Sequence, residues 1–300
     1  MKYSQLMAQQ TLLDRISALP CWSSGVEISP LLGGMTNRNF LVTDRQAQRF
    51  VVRVGHDLPE HGVMRFNELA AARAAYAAGI SPEVIHAGDG MLVSRYIDGH
   101  TYTPEDVRDL RNLDRIIELM RRCHREIPKH LRGPVLIFWV FQVIRNYLSV
   151  LSEPGKNPLA LDLSELAGRA EQLERRVGPV EIVFGHNDLL AANLIDDGTR
   201  LWLIDWDYAG FNSPLFDLAN LSSNNAFTPE LDERLLAMYF QDRVDAACMR
   251  GFTAMKCASL LRELLWGSVS LVTSSIDFDY ASYAGDYRAR FERMWSELDE

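Results

Sequence analysis

The segment His186-Asn187-Asp188-Leu189-Leu190-Ala191-Ala192-Asn193 sets an aspartate two residues after a histidine, and an asparagine five residues beyond that. Twelve residues after Asn193, at the end of an apolar run over 201–204, stand Asp205-Trp206-Asp207. Phosphoryl transfer needs these residue types. It asks little covalent help of a protein: an acceptor oxygen is held in line and phosphate charge is neutralised by hard cations. Asp188 can face the acceptor hydroxyl as base. Asn193 and Asp205 supply the oxygen donors that Mg²⁺ prefers, where cysteine would not serve. Each pattern alone has a plain explanation, because Asp and Asn are common turn formers. Together they are far more specific, since they put a carboxylate directly after a short strand and opposite the first loop across a tight hairpin.

Residues 182–184, 194–195 and 201–204 read as the short strands that position this pair of loops, set between helical blocks. Upstream, residues 6–19 are amphipathic and predict a helix ended by Pro20. The β-like runs 39–43 and 49–54, separated by Thr43-Asp44-Arg45-Gln46, predict a hairpin. Residues 63–78 are Ala-rich and helical, with Gly79 as a stop and Pro82 beyond. Residues 91–96 form a strand closed by Asp98-Gly99. Thr103-Pro104-Glu105 and Thr228-Pro229-Glu230 are helix starts, with Pro at the first helical position. After the first of them, a helical period runs through Val107, Leu110, Leu113, Ile116, Ile117 and Met120. The expected class is α+β with two lobes. Residues 1–97 would make a small antiparallel-sheet lobe with one main helix, and residues 98–300 a larger, mostly helical lobe.

Other residues fit the same chemistry. Gly33-Gly34, ahead of a strand, would let backbone approach phosphate, although a plain turn is the simpler reading. Arg53 interrupts the apolar strand Val51-Val52-Arg53-Val54, and Glu68 sits within the Ala-rich helix. Each has an ordinary explanation as a polar strand face or a solvated helix position. As a pair they match the cation–glutamate bridge that orders a phosphate site.

The chain has 300 residues, with 31 Lys and Arg against 40 Asp and Glu, a formal charge of −9. That argues against a nucleic-acid partner and mildly favours a cationic substrate. Cys21, Cys123, Cys248 and Cys257 are widely spaced and read as free, mostly buried thiols of a reducing compartment. No opening stretch resembles a secretory signal. The apolar stretch 260–272 carries Arg262 and Glu263 and is too polar to cross a bilayer. A cytoplasmic protein with no membrane insertion is expected. The histidines at 56, 61, 86, 100, 124 and 130 show no metal spacing and read as surface or satisfied groups. Arg121-Arg122 and Arg175-Arg176 read as solvated helix ends.

The chain resembles the choline/ethanolamine kinases, within the wider aminoglycoside-phosphotransferase-like group. The resemblance spans about residues 28 to 291. It is carried by Gly33-Gly34-Met35-Thr36-Asn37, Val51-Val52-Arg53-Val54, residues 183–193, residues 203–208, Phe216-Asp217-Leu218-Ala219-Asn220, Leu265-Trp266-Gly267 and Phe278-Asp279-Tyr280-Ala281-Ser282-Tyr283-Ala284. The resemblance implies a two-lobed protein-kinase-like fold, with ATP and Mg²⁺ as cofactors and a small, cationic acceptor. Asp188 would be the catalytic base, and Asn193 and Asp205 would hold Mg²⁺. Gly33, Gly34, Asn37 and Arg53 would serve the nucleotide, with Glu68 orienting Arg53. Ser94, Tyr96 and Ile97 would form a hinge beside adenine, and Asp217 would brace the catalytic loop. Asp207, Tyr208, Trp266, Tyr280 and Tyr283 would line an acceptor box that holds an ammonium by cation–π attraction. Two positions depart from the family's box. Val269 stands where a second Trp is expected, and Asn224 where an acid is expected. Choline, ethanolamine or a related amino alcohol is the leading acceptor class. Another hydroxyl substrate (an aminoglycoside, thiamine or a methylthio-sugar) and a silent nucleotide-binding regulator remain open, as does the oligomeric state.

Overall fold

The computed structural model describes residues 2–31 and 37–298. Gly33 and Gly34 therefore lie outside the described residues. The chain divides into two compact units. One takes in residues up to His56 together with Pro82–Asp98, the other Asp57–Ser81 together with Gly99 onward.

The first unit opens with α1 (Lys2–Ser17) and holds a five-stranded antiparallel sheet. Its strands are β1 (Val26–Leu31), β2 (Arg38–Asp44), β3 (Arg49–Val54), β4 (Val84–Gly88) and β5 (Met91–Arg95), in the order β1-β2-β3-β5-β4. The expected hairpin is β2–β3, in register from Arg38↔Val54 to Thr43↔Arg49. Its turn is tied by the Asp44 carboxylate, which accepts the Gln46 and Gln48 N–H groups at 2.9 and 2.8 Å. Strand alternation places Phe40, Val42, Phe50, Val52, Met91 and Val93 on one face, where they pack with Ile16 and Leu19. β1 and β4 carry no period that the sequence reading picked up.

The second unit begins with α2 (Arg65–Ala77). This helix belongs with the larger unit, and the contacts say why. Asn67 donates to the Ala209 carbonyl at 2.8 Å, Ser81 bonds the Leu203 carbonyl, and Arg122 donates to the Ala78 and Gly79 carbonyls. The next elements are β6 (His100–Thr101), α3 (Pro104–Arg108), α4 (Leu110–His130), α5 (Val140–Ser152) and α6 (Leu163–Val177). Thr103 caps α3 with a full capping box. The period from Val107 to Met120 is not one helix. Asp109 ends α3 in an extended conformation, and its carboxylate accepts the Arg111 N–H at 2.9 Å to start α4.

Three short strands, β7 (Val183–Gly185), β8 (Leu194–Asp196) and β9 (Leu201–Leu203), then β10 (Gly210–Asn212), carry the loops of interest. β8 and β9 pair antiparallel, from Leu194↔Leu203 to Asp196↔Leu201, and β10 pairs with β7. The chain continues with α7 (Pro214–Asn224), α8 (Pro229–Phe240), α9 (Ala246–Thr273) and α10 (Tyr280–Glu297). The 28-residue α9 is the axis of the unit, packing against α5, α6, α7 and α10. Its middle is buried all round, the pattern of a central rather than a surface helix.

Arg175 and Arg176 do close α6. Arg121 and Arg122 do not close α4. They lie in its interior and cap other helices instead. Arg121 donates to the Met238 and Tyr239 carbonyls at the end of α8, and Arg122 to the Ala78 and Gly79 carbonyls at the end of α2. A guanidinium there meets orphan carbonyls and the negative end of the dipole together. Among the described residues, no helix is long and apolar enough to cross a membrane.

Candidate active site

The loop His186–Asn193 runs from β7 to β8, and a single buried carboxylate shapes its first half. Asp217, in the first turn of α7, accepts the His186 N–H at 2.9 Å and the Asn187 N–H at 2.7 Å. It also meets His124 Nε2 at 2.9 Å. Burial pushes the Asp217 carboxyl up, but the His124 bond and charge, the His186 field and the His186 N–H outweigh burial and hold it below the ordinary carboxylate range. Asn187 takes a left-handed φ of 65°. Its side chain bridges the Tyr208 carbonyl at 3.0 Å and the Asn212 amide at 3.0 Å. Asn220, one turn after Asp217, accepts the Leu189 N–H at 2.6 Å. Gly185 is required here, because a Cβ at that position would lie 2.8 Å from Asn187 Oδ1 and 3.1 Å from Asp217 Oδ2.

These bonds leave the Asp188 side chain 16% exposed within that loop. Burial drives its carboxyl up to about 8. The Arg262 charge opposes that shift, while Glu263, Asp205 and Asp207 add to it. Asn193 donates its amide to the Asp188 carbonyl at 2.9 Å, which fixes the side chain and leaves its oxygen as the free lone-pair group. Asp205 follows β9 in a left-handed conformation with φ 69°. His186 Nε2 donates to the Ile204 carbonyl at 2.9 Å, joining the first loop to the residue before Asp205. Asp207 is buried and paired with Arg65 at 3.0 Å, and Arg65 also pairs with Glu68 at 2.5 Å.

On the other side of Asp188 the chain is aromatic. Trp266 donates its indole N–H to the Tyr208 hydroxyl at 2.8 Å. Its ring packs against Tyr280 and Tyr283 with centroids 5.8 and 5.3 Å away. Tyr283 donates to Glu263 Oε2 at 2.7 Å. α10 comes this close because Gly267 has no side chain: a Cβ there would sit 3.0 Å from the Tyr283 ring and 3.2 Å from Ala284 Cβ. Arg262, 1% exposed, pairs with Glu263, lies 3.6 Å from Asp188 and stands 4.3 Å over the Tyr208 ring. His61 touches Tyr147 at 3.2 Å and Ser270 at 3.3 Å, and burial with the Arg262 charge lowers its pKa to about 3.

A profile described as "Choline/ethanolamine kinase" matches residues 28–236. The chain belongs to the choline/ethanolamine kinase family. Protein LicA of Haemophilus influenzae is 28% identical over 212 residues, covering 69% of this chain and 61% of that protein. This chain thus spans less than two thirds of that relative's length. Ethanolamine kinase 2 of Homo sapiens is 29% identical over 264 residues, covering 78% of this chain and 66% of that protein. The crystal structure of a choline/ethanolamine kinase family protein from Mesorhizobium loti has a TM-score of 0.75 at 29% identity, covering 95% of this chain and 94% of that one. This kinase-like fold matches the α+β architecture expected from the sequence.

Within the second unit, this family member brings Asp188, Asn193, Asp205, Asp207, Tyr208, Trp266, Tyr280 and Tyr283 into one neighbourhood. Glu68 is there too, on α2, with Arg65 as a partner. Asn37, Arg53, Ser94, Tyr96 and Ile97 belong to the first unit. Asn37 is buried just ahead of β2, and Arg53 lies on β3 opposite Asn39 and Leu92. Ser94 pairs with Val51, and Tyr96 donates its N–H to the Arg49 carbonyl at 3.0 Å. Val269 is fully buried, and Asn224 accepts from the Tyr287 hydroxyl at 3.4 Å.

Sequence reasoning did not single out Arg65, named Asn187 only as part of the loop, and read His61 only as a surface or satisfied group, which its bonds to Tyr147 and Ser270 match. Nor did it give Arg262 and Glu263 a role. Their signal was present: two adjacent charges in an apolar helix, read only as too polar for a membrane.

Proposed function

We propose that this protein is a magnesium-dependent kinase that transfers the γ-phosphoryl group of ATP to the hydroxyl of a small amino alcohol, of the choline and ethanolamine kind, in the cytoplasm. One observation carries the reading. A single carboxylate, Asp188, is presented by a loop whose backbone is pinned through Asp217 and Asn220, with Asn193 and Asp205 alongside.

The residues divide the work. Asp188 orients the acceptor hydroxyl and receives its proton as the oxygen attacks. Asn193 and Asp205 fit Mg²⁺, because the donor set is all oxygen and Asn193 is held with its amide nitrogen turned to backbone. Held there, the ion would supply positive charge against the nucleotide phosphates during transfer. Arg53, with the backbone at Gly33, Gly34 and Asn37, serves the phosphates, and Glu68 orders that side of the site. Ser94, Tyr96 and Ile97 form the adenine hinge. Asp207, Tyr208, Trp266, Tyr280 and Tyr283 shape the acceptor side.

The test has two parts. ATP consumption is measured across amino alcohols, thiamine and aminoglycosides, and turnover is expected with an amino alcohol. ATP binding is then titrated calorimetrically with and without Mg²⁺. Asp205→Ala should abolish the Mg²⁺-dependent part, and Asn193→Ala should weaken it less. Equal Mg²⁺ dependence in parent and Asp205→Ala would remove the metal assignment. ATP binding without turnover of any acceptor would point to a silent regulator.

A further inference from the structure

One guanidinium nitrogen faces two carboxylates. Arg262 Nη1 donates to Glu263 Oε1 and lies 3.6 Å from Asp188 Oδ1. The first contact is a charge-assisted hydrogen bond. The second is outside hydrogen-bond range, yet close enough for strong charge attraction in a buried setting. The guanidinium is fixed on its remaining sides. It stands 4.3 Å from the Tyr208 ring centroid and 5.8 Å from that of Phe138, and it also meets the Tyr147 hydroxyl. Glu263 is fixed as well, because its Oε2 accepts the Tyr283 hydroxyl at 2.7 Å. Glu263, Asp205 and Asp207 act on Asp188 with like charge, and Arg262 opposes them.

That division of contacts suits a base. A carboxylate bonded to a guanidinium has its lone pairs committed, and it must give up that bond before it takes a proton. A carboxylate with no cation beside it is repelled by its acidic neighbours. Asp188 avoids both conditions. Arg262 supplies the attraction, and its hydrogen bond goes to Glu263.

We propose that Arg262 and Glu263 are positioning residues for Asp188: Arg262 holds the carboxylate in place by charge, and Glu263, by taking the guanidinium's hydrogen bond, keeps Arg262 from bonding Asp188 and leaves its oxygens to the acceptor hydroxyl. The proposal rests on the kinase reading above and adds to it how the base is kept available. Glu263 acts only through Arg262, and neither residue has a part in choosing the acceptor.

Steady-state kinetics of the full chain are measured with ATP, Mg²⁺ and each of choline and ethanolamine. The variants are Glu263→Gln, Arg262→Lys, Arg262→Met and the pair Arg262→Met/Glu263→Gln. Nucleotide-binding sites are counted by calorimetry in each protein, and kcat is expressed per site, so a smaller folded fraction does not enter. Glu263→Gln keeps the volume and weakens the hold on Arg262, which then bonds Asp188. Its kcat should fall ~10-fold or more, the scale of a hydrogen bond to a charged group. The KM values for ATP and acceptor should stay within ~2-fold, because neither residue binds a substrate. In the Arg262→Met background the same change at Glu263 should bring no further loss, since the guanidinium through which it acts is gone. Arg262→Lys keeps the charge and should retain more kcat than Arg262→Met. An unchanged kcat in Glu263→Gln, losses that multiply in the paired variant, equal losses in Arg262→Lys and Arg262→Met, or an effect confined to KM overturns the assignment, and parent turnover in those cases leaves the kinase reading standing. No parent turnover of either acceptor removes the amino alcohol kinase reading and this inference with it.

Discussion

Around Asp217, buried polar groups are spent on backbone. One carboxylate fixes two consecutive N–H groups and a histidine, and Asn220 fixes a third N–H one turn later. Around Arg262, also buried, the polar groups are spent on one another and on rings: the guanidinium pairs with Glu263, lies 3.6 Å from Asp188 and stands over the Tyr208 ring. The first arrangement ties three backbone N–H groups of the loop to side chains of one helix. The second makes a buried cluster in which opposite charges balance one another. A site that must position a reacting oxygen needs the former, while the latter sets the charge beside it.

That contrast can be broken most forcefully at Asp188. Asp188→Asn keeps the loop and its volume, so ATP affinity should hardly change while turnover falls by ~10²–10⁴. Steady-state kinetics at saturating acceptor decide it, and near-parent turnover would mean the loop presents some other group as base.

Asp217→Ala should act on stability. It removes the acceptor of two loop N–H groups and strands His124 in the core. The loss should be about 3–5 kcal/mol, the range for breaking a buried pair from one side. Urea unfolding midpoints at fixed pH measure this. A loss under ~1 kcal/mol would show that the loop holds its shape without the carboxylate.

The smallest effect is a pH dependence beside Arg262. Burial, with the Arg262 charge, lowers the pKa of His61 from 6.5 to about 3. The unfolded chain therefore takes up a proton on this residue at a higher pH than the folded one. The contribution of His61 to stability is complete above pH 6.5 and is lost as pH falls toward 3. At pH 5 it should have cost about 2 kcal/mol. His61→Gln cannot titrate, so the parent should lose that much more than the variant between pH 8 and pH 5 in urea melts. Parallel losses in the two proteins would show that His61 is protonated in the fold.

The loop was legible in the sequence because its chemistry is local. His186, Asp188 and Asn193 share one short segment, and the β8–β9 hairpin brings Asp205 back over a distance that strand lengths alone can supply. The hairpin of β2 and β3 was legible for the same reason. Less of the proposed acceptor side could be read. Tyr208, Trp266, Tyr280 and Tyr283 came from family resemblance, and their convergence depends on helix packing. Arg262 has no local pattern that marks it as a buried ion-pair partner; its place beside Asp188 appears only with the packing of α9. The break at Asp109 was missed because apolar spacing continues across it. The cap that makes the break is a single side chain bonding its own backbone.

Gly267 sets a mechanical tolerance. The gap between α9 and α10 is closed to the width of one missing methyl, with the Tyr283 ring 3.0 Å from where that methyl would be. Any side chain there acts as a shim, and the far edge of the shim carries Tyr280 and Tyr283. The spacing of the aromatic cluster around Trp266 can thus be widened by changing a residue that offers no functional group of its own. A search confined to residues that touch ligand would never sample that adjustment.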